Sequence, residues 1–462
     1  MRVLLVVYDN GSYIHWFPQG LGSIAAVLRA KGHEVLVYNQ DMHHYEASHL
    51  TDYLDHNNFD VIGVSVIAGY YQHKKLLEIS EAINKSKHRP LYIIGGHGPS
   101  PEPEYFLRKT GADLVVMGEG EETILEVMGR YELRQAFDGV RGIAYRQGDG
   151  IVVNQRRPLI RDIDSLPLPA YDLFPIEYYR LLRMPHTTND DFAIPVLSGR
   201  GCTFNCTFCY RMDDGFRPRS STAIVDEIRY LKKKYRISYI AFSDELLMSS
   251  TGRTRELCEA FLAADLGIKW CCNGRLNYAV SDILHLMKRA GCVFINYGIE
   301  AFDDSVLRKM NKALTTKQIV EGIEATLREG LSPGFNIIFG NIGDTRQTLQ
   351  KGVDFLLKYD DGAQMRTIRP VTPYPGSPLY YYAIEKGLLG GIGDFYEKKH
   401  LNSDLVSVNF TDMTDQEFHN ALYKANSVLL NNYFNKSKQR MNVQMNKLYT
   451  ENDSSFRGFR QS

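Results

Sequence analysis

Three of the seven cysteines lie close together, in the stretch Gly199-Arg200-Gly201-Cys202-Thr203-Phe204-Asn205-Cys206-Thr207-Phe208-Cys209-Tyr210. Cysteine thiolates are soft ligands that bind iron–sulfur clusters, and such clusters usually take four of them. A compact set of three therefore leaves one iron atom without a protein ligand. The spacing of Cys202, Cys206 and Cys209 predicts a cluster with one iron open to a substrate.

Two simpler interpretations compete with the cluster. Free cysteines are often small buried hydrophobic residues, and three cysteines can form part of a zinc site. A zinc site needs a fourth ligand, however, and no well-placed CxxC or HxxxH pattern follows this stretch. The sequence therefore favours the cluster.

Length and composition restrict the class of protein. A chain of 462 residues is too long for one ordinary core and predicts two or three domains. Its 54 Lys and Arg balance 54 Asp and Glu, which argues against a nucleic-acid partner. The first residues, Met1–Tyr8, have the pattern of a first strand and not of a signal peptide. No segment is long and apolar enough for a membrane span, and the cysteine usage predicts a reducing, cytoplasmic location.

Short β-rich runs alternate with amphipathic stretches in the first 130 residues, which predicts a parallel sheet covered by helices. The expected strands of this five-stranded Rossmann-like unit are Val3–Tyr8, Glu34–Tyr38, Val61–Val66, Leu91–Gly95 and Leu114–Met117. Ligands of such sheets bind at the carboxyl ends of the strands. The loops that follow these strands should therefore line one crevice.

A second series of strands and helices begins at Ile194 and continues to Arg369. Six strand–helix repeats predict a partial barrel, with the cysteine loop after its first strand and therefore at the mouth. Between the two series, Gly148-Asp149-Gly150 predicts a hairpin and a Pro-rich stretch around Leu166–Tyr171 predicts a linker. Residues 412 to 449 have a helical pattern.

The CxxxCxxC spacing, with Phe208 before the last cysteine, resembles the cluster loop of the radical S-adenosylmethionine (SAM) enzymes. Ser65-Val66-Ile67 at the end of the third strand and the glycine-rich loops after the fourth and fifth strands resemble the cobalamin-binding domain that precedes many radical SAM cores. The Pro-rich linker resembles the "LPxPA" stretch that commonly joins the two domains in this family. The resemblance implies an α/β fold with four parts: a Rossmann-like cobalamin-binding domain at 1–140, a hairpin and linker at 141–192, a partial (β/α)6 radical SAM barrel at 193–380, and a mostly helical region at 381–462.

The resemblance also implies site residues. Cys202, Cys206 and Cys209 would bind a 4Fe-4S cluster. The candidate cobalamin-binding residues come from the strand-end loops: Ser65, Gly95, Gly96, His97, Gly118, Glu119, Gly120 and Glu121. The candidate SAM-binding residues lie on the barrel rim: Phe208, Asp244, Glu245, Arg275, Glu300 and Asn336. Arg275 would pair with the methionine carboxylate, because a guanidinium group matches a carboxylate.

The sequence departs from the family pattern at the cobalt ligand. No DxHxxG motif follows the first strand, where the chain reads Asp9-Asn10-Gly11-Ser12-Tyr13-Ile14-His15-Trp16. Asp41-Met42-His43 imitates half of that motif after the second strand, but Glu46 replaces its glycine. The axial ligand of cobalt therefore stays open, with His97, His15, Tyr13 and Trp16 as residues able to approach the corrin. Cys271 and Cys272 are adjacent, so one of them should face the barrel interior if the strand is regular.

The resemblance implies a cobalamin-dependent radical SAM enzyme, and methyl transfer is the commonest activity of that group. In that activity methylcobalamin supplies a methyl group to an unactivated carbon, after a 5′-deoxyadenosyl radical has removed a hydrogen atom. Cyclases, rearranging enzymes and oxygen-inserting enzymes share these motifs and remain alternatives, as does a non-catalytic sensor of cobalamin or iron. The expected partners are a small-molecule substrate and an external electron donor such as flavodoxin or ferredoxin. No catalytic residue and no specific substrate follow from the sequence.

Overall fold

A computed structural model describes residues 1–11, 16–362 and 364–455. Its first sheet has seven strands in the order β2-β1-β3-β4-β5-β6-β7. These strands are β1 (Arg2–Val7), β2 (Glu34–Asn39), β3 (Val61–Ser65), β4 (Leu91–Gly95), β5 (Leu114–Val116), β6 (Ile143–Gln147) and β7 (Gly150–Val153). The five predicted strands are confirmed and are parallel to one another.

The predicted hairpin forms, but it is part of the first sheet instead of a free connection. Strand β6 pairs antiparallel with β5, and β7 pairs antiparallel with β6. Ile143, Ala144 and Tyr145 are buried, so β6 covers an edge that β5 would otherwise expose. The sheet therefore has two more strands than the sequence predicted.

Helices cover both faces of this sheet because the strands are apolar on both sides. They are α1 (Gln19–Ala30), α2 (Gln40–His43), α3 (Ala47–His56), α4 (Tyr70–Lys85), α5 (Pro103–Thr110) and α6 (Glu121–Glu132). Helices α1 and α6 contact each other on one face, and α3 and α4 contact each other on the other face.

The second sheet is the predicted partial barrel. Its six strands have the order β15-β14-β13-β12-β11-β8 and are all parallel. The strands are β8 (Ala193–Val196), β11 (Tyr239–Phe242), β12 (Lys269–Gly274), β13 (Cys292–Glu300), β14 (Ser332–Phe339) and β15 (Arg369–Pro370). The helices between them are α7 (Ser221–Tyr235), α8 (Thr251–Ala263), α9 (Ser281–Arg289), α10 (Asp304–Lys309), α11 (Thr316–Arg328) and α12 (Arg346–Tyr359).

A small hairpin, which the sequence did not predict, carries the cysteine loop. Strand β9 (Gly199–Cys202) pairs antiparallel with β10 (Gly215–Pro218) between β8 and α7. Gly201 has φ +84°, and a Cβ atom there would lie 2.2 Å from the carbonyl oxygen of Gly215. Only glycine allows the two strands to approach so closely.

The C-terminal region crosses back to the first domain before it forms its long helix. It comprises α13 (Pro378–Glu385), α14 (Ile392–Asp394) and α15 (Asp415–Tyr449), which confirms the helix predicted over 412–449. Tyr380 and Phe395 are buried in the same core as residues of the first sheet. Helix α15 instead packs on α12 of the barrel. Among the described residues, no helix has the length and apolar character of a membrane span.

Candidate functional site

A cavity of about 490 Å³ lies where the first sheet faces the cysteine hairpin. Most of the predicted site residues line it: Ser65, Gly95, Gly96, His97, Gly118, Glu119, Gly120, Glu121, Asp244 and Glu245. The first eight come from strand ends of the first sheet, and the last two follow β11 of the barrel. Arg200 and Gly201 of β9 complete the wall. The structure thus brings both domains to one cavity.

Small residues open this cavity on one face of the first sheet. Gly63, Ser65 and Gly95 occupy neighbouring positions on β3 and β4, and all three line the cavity. At the end of β4, Gly96 has φ +97°, and a Cβ atom there would lie 2.5 Å from the carbonyl oxygen of Val66. The backbone of these loops is therefore accessible to a large flat ligand.

Polar atoms without partners occur at the cavity wall. Gln19 Nε2, Asp213 Oδ1 and Asp244 Oδ2 are buried, make no hydrogen bond within the described residues, and belong to residues that line the cavity. Buried polar groups are normally hydrogen-bonded. One donor and two acceptors at the wall fit a ligand that carries several amide groups, as the corrin ring does.

His97 lies between the cavity and the cysteine loop. Burial lowers the pKa of its imidazole, so it is neutral at pH 7. Its ring meets the ring of Tyr210, the residue after Cys209, edge to face at 6.3 Å. His97 is therefore placed to contact both a ligand in the cavity and the cysteine loop.

The turn between α10 and α11 forms hydrogen bonds with the backbone of the cysteine loop. The carbonyl oxygen of Met310 accepts a hydrogen bond from Thr207 N, and Asn311 Nδ2 donates to the carbonyl oxygen of Asn205. All seven cysteines are free thiols, and partial burial raises the pKa of Cys202. Metal ligation would replace the proton that such a thiol otherwise keeps. In the part of the chain that the structure describes, no group of three or more His, Cys, Asp or Glu side chains is close enough together to hold one metal ion.

Arg275 packs directly on the cysteine loop. Its guanidinium carbon lies 3.4 Å from the centre of the Phe204 ring, and its Nη1 lies 4.0 Å from Cys206 Sγ. Its Nη2 donates to the carbonyl oxygen of Lys312. No carboxylate forms an ion pair with Arg275 among the described residues, so its buried charge fits the predicted partner, the carboxylate of SAM.

Glu300 and Lys312 form a buried ion pair beside the same loop. Lys312 Nζ donates to Glu300 Oε1 at 3.0 Å and lies 5.6 Å from the centre of the Phe208 ring. Glu300 has φ +69°, which is rare for a residue with a side chain. The sequence identified Glu300 and Phe208 but missed Lys312. Asn336 is exposed on β14 and does not line the cavity.

Asp244 supports the strand that leads to the cysteines. Its Oδ1 accepts hydrogen bonds from Ser198 N at 2.6 Å and Gly199 N at 2.8 Å. Burial raises the pKa of this carboxyl to about 6. Glu245, the next residue, is exposed at the cavity wall. Of the two predicted carboxylates, Glu245 is thus the more accessible to a bound amino group.

The carboxylates of Glu119 and Glu121 bind arginines of the cysteine hairpin. Arg200 Nη1 donates to Glu119 Oε1 at 2.6 Å, and Arg200 Nη2 donates to Glu121 Oε1 at 2.5 Å. Arg217 Nη1 donates to both oxygens of Glu119 at 3.0 Å. Both glutamates were predicted to bind a cofactor, and the two arginines were missed although Arg200 lies inside the cysteine motif. No signal in the sequence pairs residues about 80 positions apart.

The remaining candidates for a cobalt ligand lie away from the cavity or outside the described residues. His43 is exposed and stacks on Tyr45, and the Asp41–His43 segment does not line the cavity. Tyr13 and His15 lie outside the described residues, whereas Trp16 is partly exposed and does not line the cavity.

Cys271 and Cys272 point to opposite faces of β12, as predicted. Cys271 packs with Tyr239 and Phe294 on the inner face of the barrel, and Cys272 packs on the helix side.

Comparison with known families accounts for both halves of this site. Residues 10–128 match the B12 binding domain, and residues 196–356 match the Radical SAM superfamily. The chain is a radical SAM enzyme with a B12-binding domain. Its cofactors are therefore SAM and cobalamin, as the sequence predicted, and the Radical SAM match implies the predicted 4Fe-4S cluster.

Relatives align with this radical SAM enzyme over more than four fifths of its chain. It is 27% identical over 426 residues to an uncharacterised methyltransferase of Pyrococcus horikoshii, with 88% of this chain and 90% of the relative covered. It is also 27% identical over 398 residues to the anaerobic magnesium-protoporphyrin IX monomethyl ester cyclase of Rubrivivax gelatinosus, covering 82% and 69%.

A solved structure has the same fold. The radical SAM methyltransferase TsrM of Kitasatospora setae, with cobalamin and a [4Fe-4S] cluster bound, superposes with a TM-score of 0.69 at 18% identity. The superposition covers 83% of this chain and 75% of TsrM. At this identity the likeness supports the architecture and not the substrate.

Proposed function

We propose that this radical SAM enzyme transfers a methyl group to an unactivated carbon of a small-molecule substrate in a cobalamin-dependent reaction. One observation carries the proposal: a single cavity is lined both by strand ends of the B12-binding domain and by the hairpin that holds the cluster cysteines. Two cofactors that act in turn on one substrate need such a shared chamber.

The residues divide into three binding roles. Cys202, Cys206 and Cys209 would hold the cluster. The backbone at Gly95–Gly96 and Gly118–Gly120, with the free acceptor of Asp213, would hold cobalamin. When bound, the reduced cluster supplies an electron that cleaves SAM to a 5′-deoxyadenosyl radical, and cobalamin supplies a carrier from which a carbon radical can take a methyl group.

The chain's own groups would orient SAM at the barrel rim. Arg275 offers a guanidinium group beside Cys206 for the methionine carboxylate. Glu245 offers a carboxylate for the amino group, and Glu300 is fixed by Lys312 for a ribose hydroxyl or the amino group. The apolar inner face around Cys271 and Phe294 would keep water from a radical.

The cysteine content and the net charge support a location, an electron donor and a substrate class for this reaction. Seven free thiols suit a reducing cytoplasm, and the cluster needs an external electron donor such as flavodoxin or ferredoxin. The balanced net charge favours a small-molecule substrate over nucleic acid. These assignments belong to the proposal.

The test uses SAM with a deuterated methyl group. Anaerobically reconstituted protein with hydroxocobalamin and a strong reductant is incubated with candidate small molecules. Methyl transfer predicts a product heavier by one trideuterated methyl group, with one 5′-deoxyadenosine and one S-adenosylhomocysteine per product. A product without deuterium, formed with 5′-deoxyadenosine alone, would contradict methyl transfer.

A ring-forming or oxygen-inserting reaction is the second candidate. It is favoured by the similarity to the anaerobic cyclase of Rubrivivax gelatinosus, which extends over 82% of this chain. The same labelling experiment separates the two, because this alternative consumes SAM without S-adenosylhomocysteine. A non-catalytic sensor predicts no 5′-deoxyadenosine at all.

A further inference from the structure

Four charged side chains, two of them buried and two largely buried, connect the two domains at the cavity wall. Glu119 and Glu121 follow β5 of the B12-binding domain, whereas Arg200 and Arg217 belong to the hairpin of β9 and β10. We name this set the interdomain clamp. All four side chains have small exposed fractions, 6% for each glutamate and 17% and 15% for the two arginines.

The geometry of the interdomain clamp is specific. Arg200 and Arg217 are directly opposite each other in the antiparallel pair of β9 and β10. Like charges at such positions repel, but Glu119 lies between them and accepts hydrogen bonds from both. Glu119 Oε2 also accepts from Ile160 N at 2.7 Å, which ties the linker to the same point.

The interdomain clamp lies next to the cysteine loop and within the Gly118–Glu121 loop of the cavity. Arg200 is two residues before the cluster ligand Cys202, and Glu119 and Glu121 alternate with the glycines that line the cavity. Glu119 accepts four hydrogen bonds, so its carboxylate has little capacity left for a cofactor, whereas Glu121 accepts two, both from Arg200. Arg217 Nη2 also donates to Asp213 Oδ2 at 2.6 Å, which leaves Asp213 Oδ1 free at the cavity wall.

We propose that the interdomain clamp sets the position of the cobalamin-binding loops relative to the cluster loop, and that Glu119, Glu121, Arg200 and Arg217 are positioning residues for the two cofactors. The proposal rests on the proposed function only in that both cofactors act in one cavity. Bidentate guanidinium–carboxylate pairs suit this role because they fix orientation as well as distance. A buried pair is weak evidence for stability, and its better-supported use is to specify one arrangement.

The first test measures hydrogen–deuterium exchange in protein without cobalamin. Arg200→Gln removes the hydrogen bonds to both glutamates. We expect faster exchange at residues 118–121 and, in the same variant, at residues 199–202, because each segment restrains the other. Arg89→Gln is the matched control, since Arg89 forms a similar bidentate pair with Asp113 inside the first domain. Faster exchange in only one of the two segments would overturn the proposal.

The second test reads the relative placement of the cofactors. Protein with a reconstituted cluster is loaded with hydroxocobalamin, and cobalt is reduced to the paramagnetic Co(II) state. In the wild type, reduction of the cluster should raise the microwave power that half-saturates the cobalt EPR signal. We expect Arg200→Gln to lose at least half of that increase, and Arg89→Gln to keep it. A purely structural role would change stability but not this relaxation effect.

Two further variants protect the test against misfolding. Glu121→Gln removes one pair only, and Arg200→Lys keeps the charge but not the planar fork. We expect both variants to keep more of the increase in half-saturating microwave power than Arg200→Gln does, and less than the wild type.

The proposal would be overturned if all three clamp variants, with both cofactors bound, kept the full increase in the half-saturating microwave power of the cobalt signal. It would also be overturned if the wild type showed no such increase. Neither measurement needs a substrate. Failure of methyl transfer and failure of the interdomain clamp are therefore distinguishable.

Discussion

Lys312 donates a hydrogen bond to Glu300 at 3.0 Å, and the two side chains are only 7% and 11% exposed. The pair lies beside Phe208 of the cysteine loop. Removing one partner would leave the other charge buried and uncompensated. The pair therefore fixes Glu300, and with it one of the predicted contacts to SAM.

The first prediction follows from this pair. We expect Lys312→Met to destabilise the protein by about 3–5 kcal/mol, because it leaves the Glu300 carboxylate unpaired. The double variant Glu300→Gln/Lys312→Met should recover much of this loss. Calorimetric unfolding of the cofactor-free protein measures both effects.

Lys351→Met is the control, since Lys351 pairs with Asp303 in an exposed position and should cost less than about 1 kcal/mol. Equal losses for the two single variants would contradict the argument from burial.

The second prediction concerns Arg275. We expect Arg275→Lys to weaken SAM binding by roughly 10-fold or more, because hydrogen bonds to charged groups contribute about 1.5–3 kcal/mol and lysine lacks the fork. The stacking on Phe204 at 3.4 Å would also be lost. Isothermal titration of SAM into cluster-loaded protein gives the affinity, and the EPR spectrum of the reduced cluster shows whether the loop has moved.

Arg255→Lys serves as the control, because Arg255 forms an exposed pair with Asp282 away from the cysteine loop. An unchanged affinity in Arg275→Lys would mean that another group binds the SAM carboxylate.

Local patterns predicted much of the fold and the cavity. The parallel strands of both sheets and the long helix of Asp415–Tyr449 follow from the periodicity of apolar residues. The loop residues Gly95–His97 and Gly118–Glu121 share one cavity because parallel strands end at one edge.

The long-range polar contacts could not be predicted. Arg217 meets Glu119 only because two domains pack together, and the hairpin of β9 and β10 is too short to have a clear period. Lys312 also lies in a turn without periodicity, twelve residues after its partner Glu300. The sequence therefore gives the types of the site residues but not which carboxylates are already paired.

The third prediction is a pH dependence of stability at His400. This side chain is fully buried, stacks on Phe395, and both of its ring nitrogens lack hydrogen bonds within the described residues. Burial lowers its pKa to about 4 from 6.5. As the pH falls below 6.5 the unfolded chain takes up a proton before the folded chain does. The folded state then loses up to about 3 kcal/mol between pH 6.5 and 4.

We expect His400→Phe to remove this loss and to keep the stability at pH 7.5, because a phenyl ring fills the same site without unpaired nitrogens. Melting temperatures at pH 7.5 and 5.0 test it. His73→Phe is the comparison, since burial also lowers the pKa of His73 to about 4 but its Nε2 bonds to Tyr105 Oη at 3.0 Å. That variant should lose stability at pH 7.5. The same acid sensitivity in His400→Phe as in the wild type would contradict the assignment.

The fourth prediction tests the cavity through one of its glycines. Gly96 and Gly32 both have positive φ angles, +97° and +84°, so alanine strains the backbone at either position by roughly 1 kcal/mol or more. Only at Gly96 would the added Cβ also meet neighbours, the carbonyl oxygen of Val66 at 2.5 Å and Ser65 Oγ at 2.9 Å, whereas nothing lies within 4 Å at Gly32, which does not line the cavity. Because Ser65 and Gly96 line the cavity, Gly96→Ala must displace its wall. We expect Gly96→Ala to weaken hydroxocobalamin binding at least about 10-fold more than Gly32→Ala, as followed by the visible absorption of the bound corrin. Equal affinities in the two variants would show that the loop after β4 does not contact cobalamin.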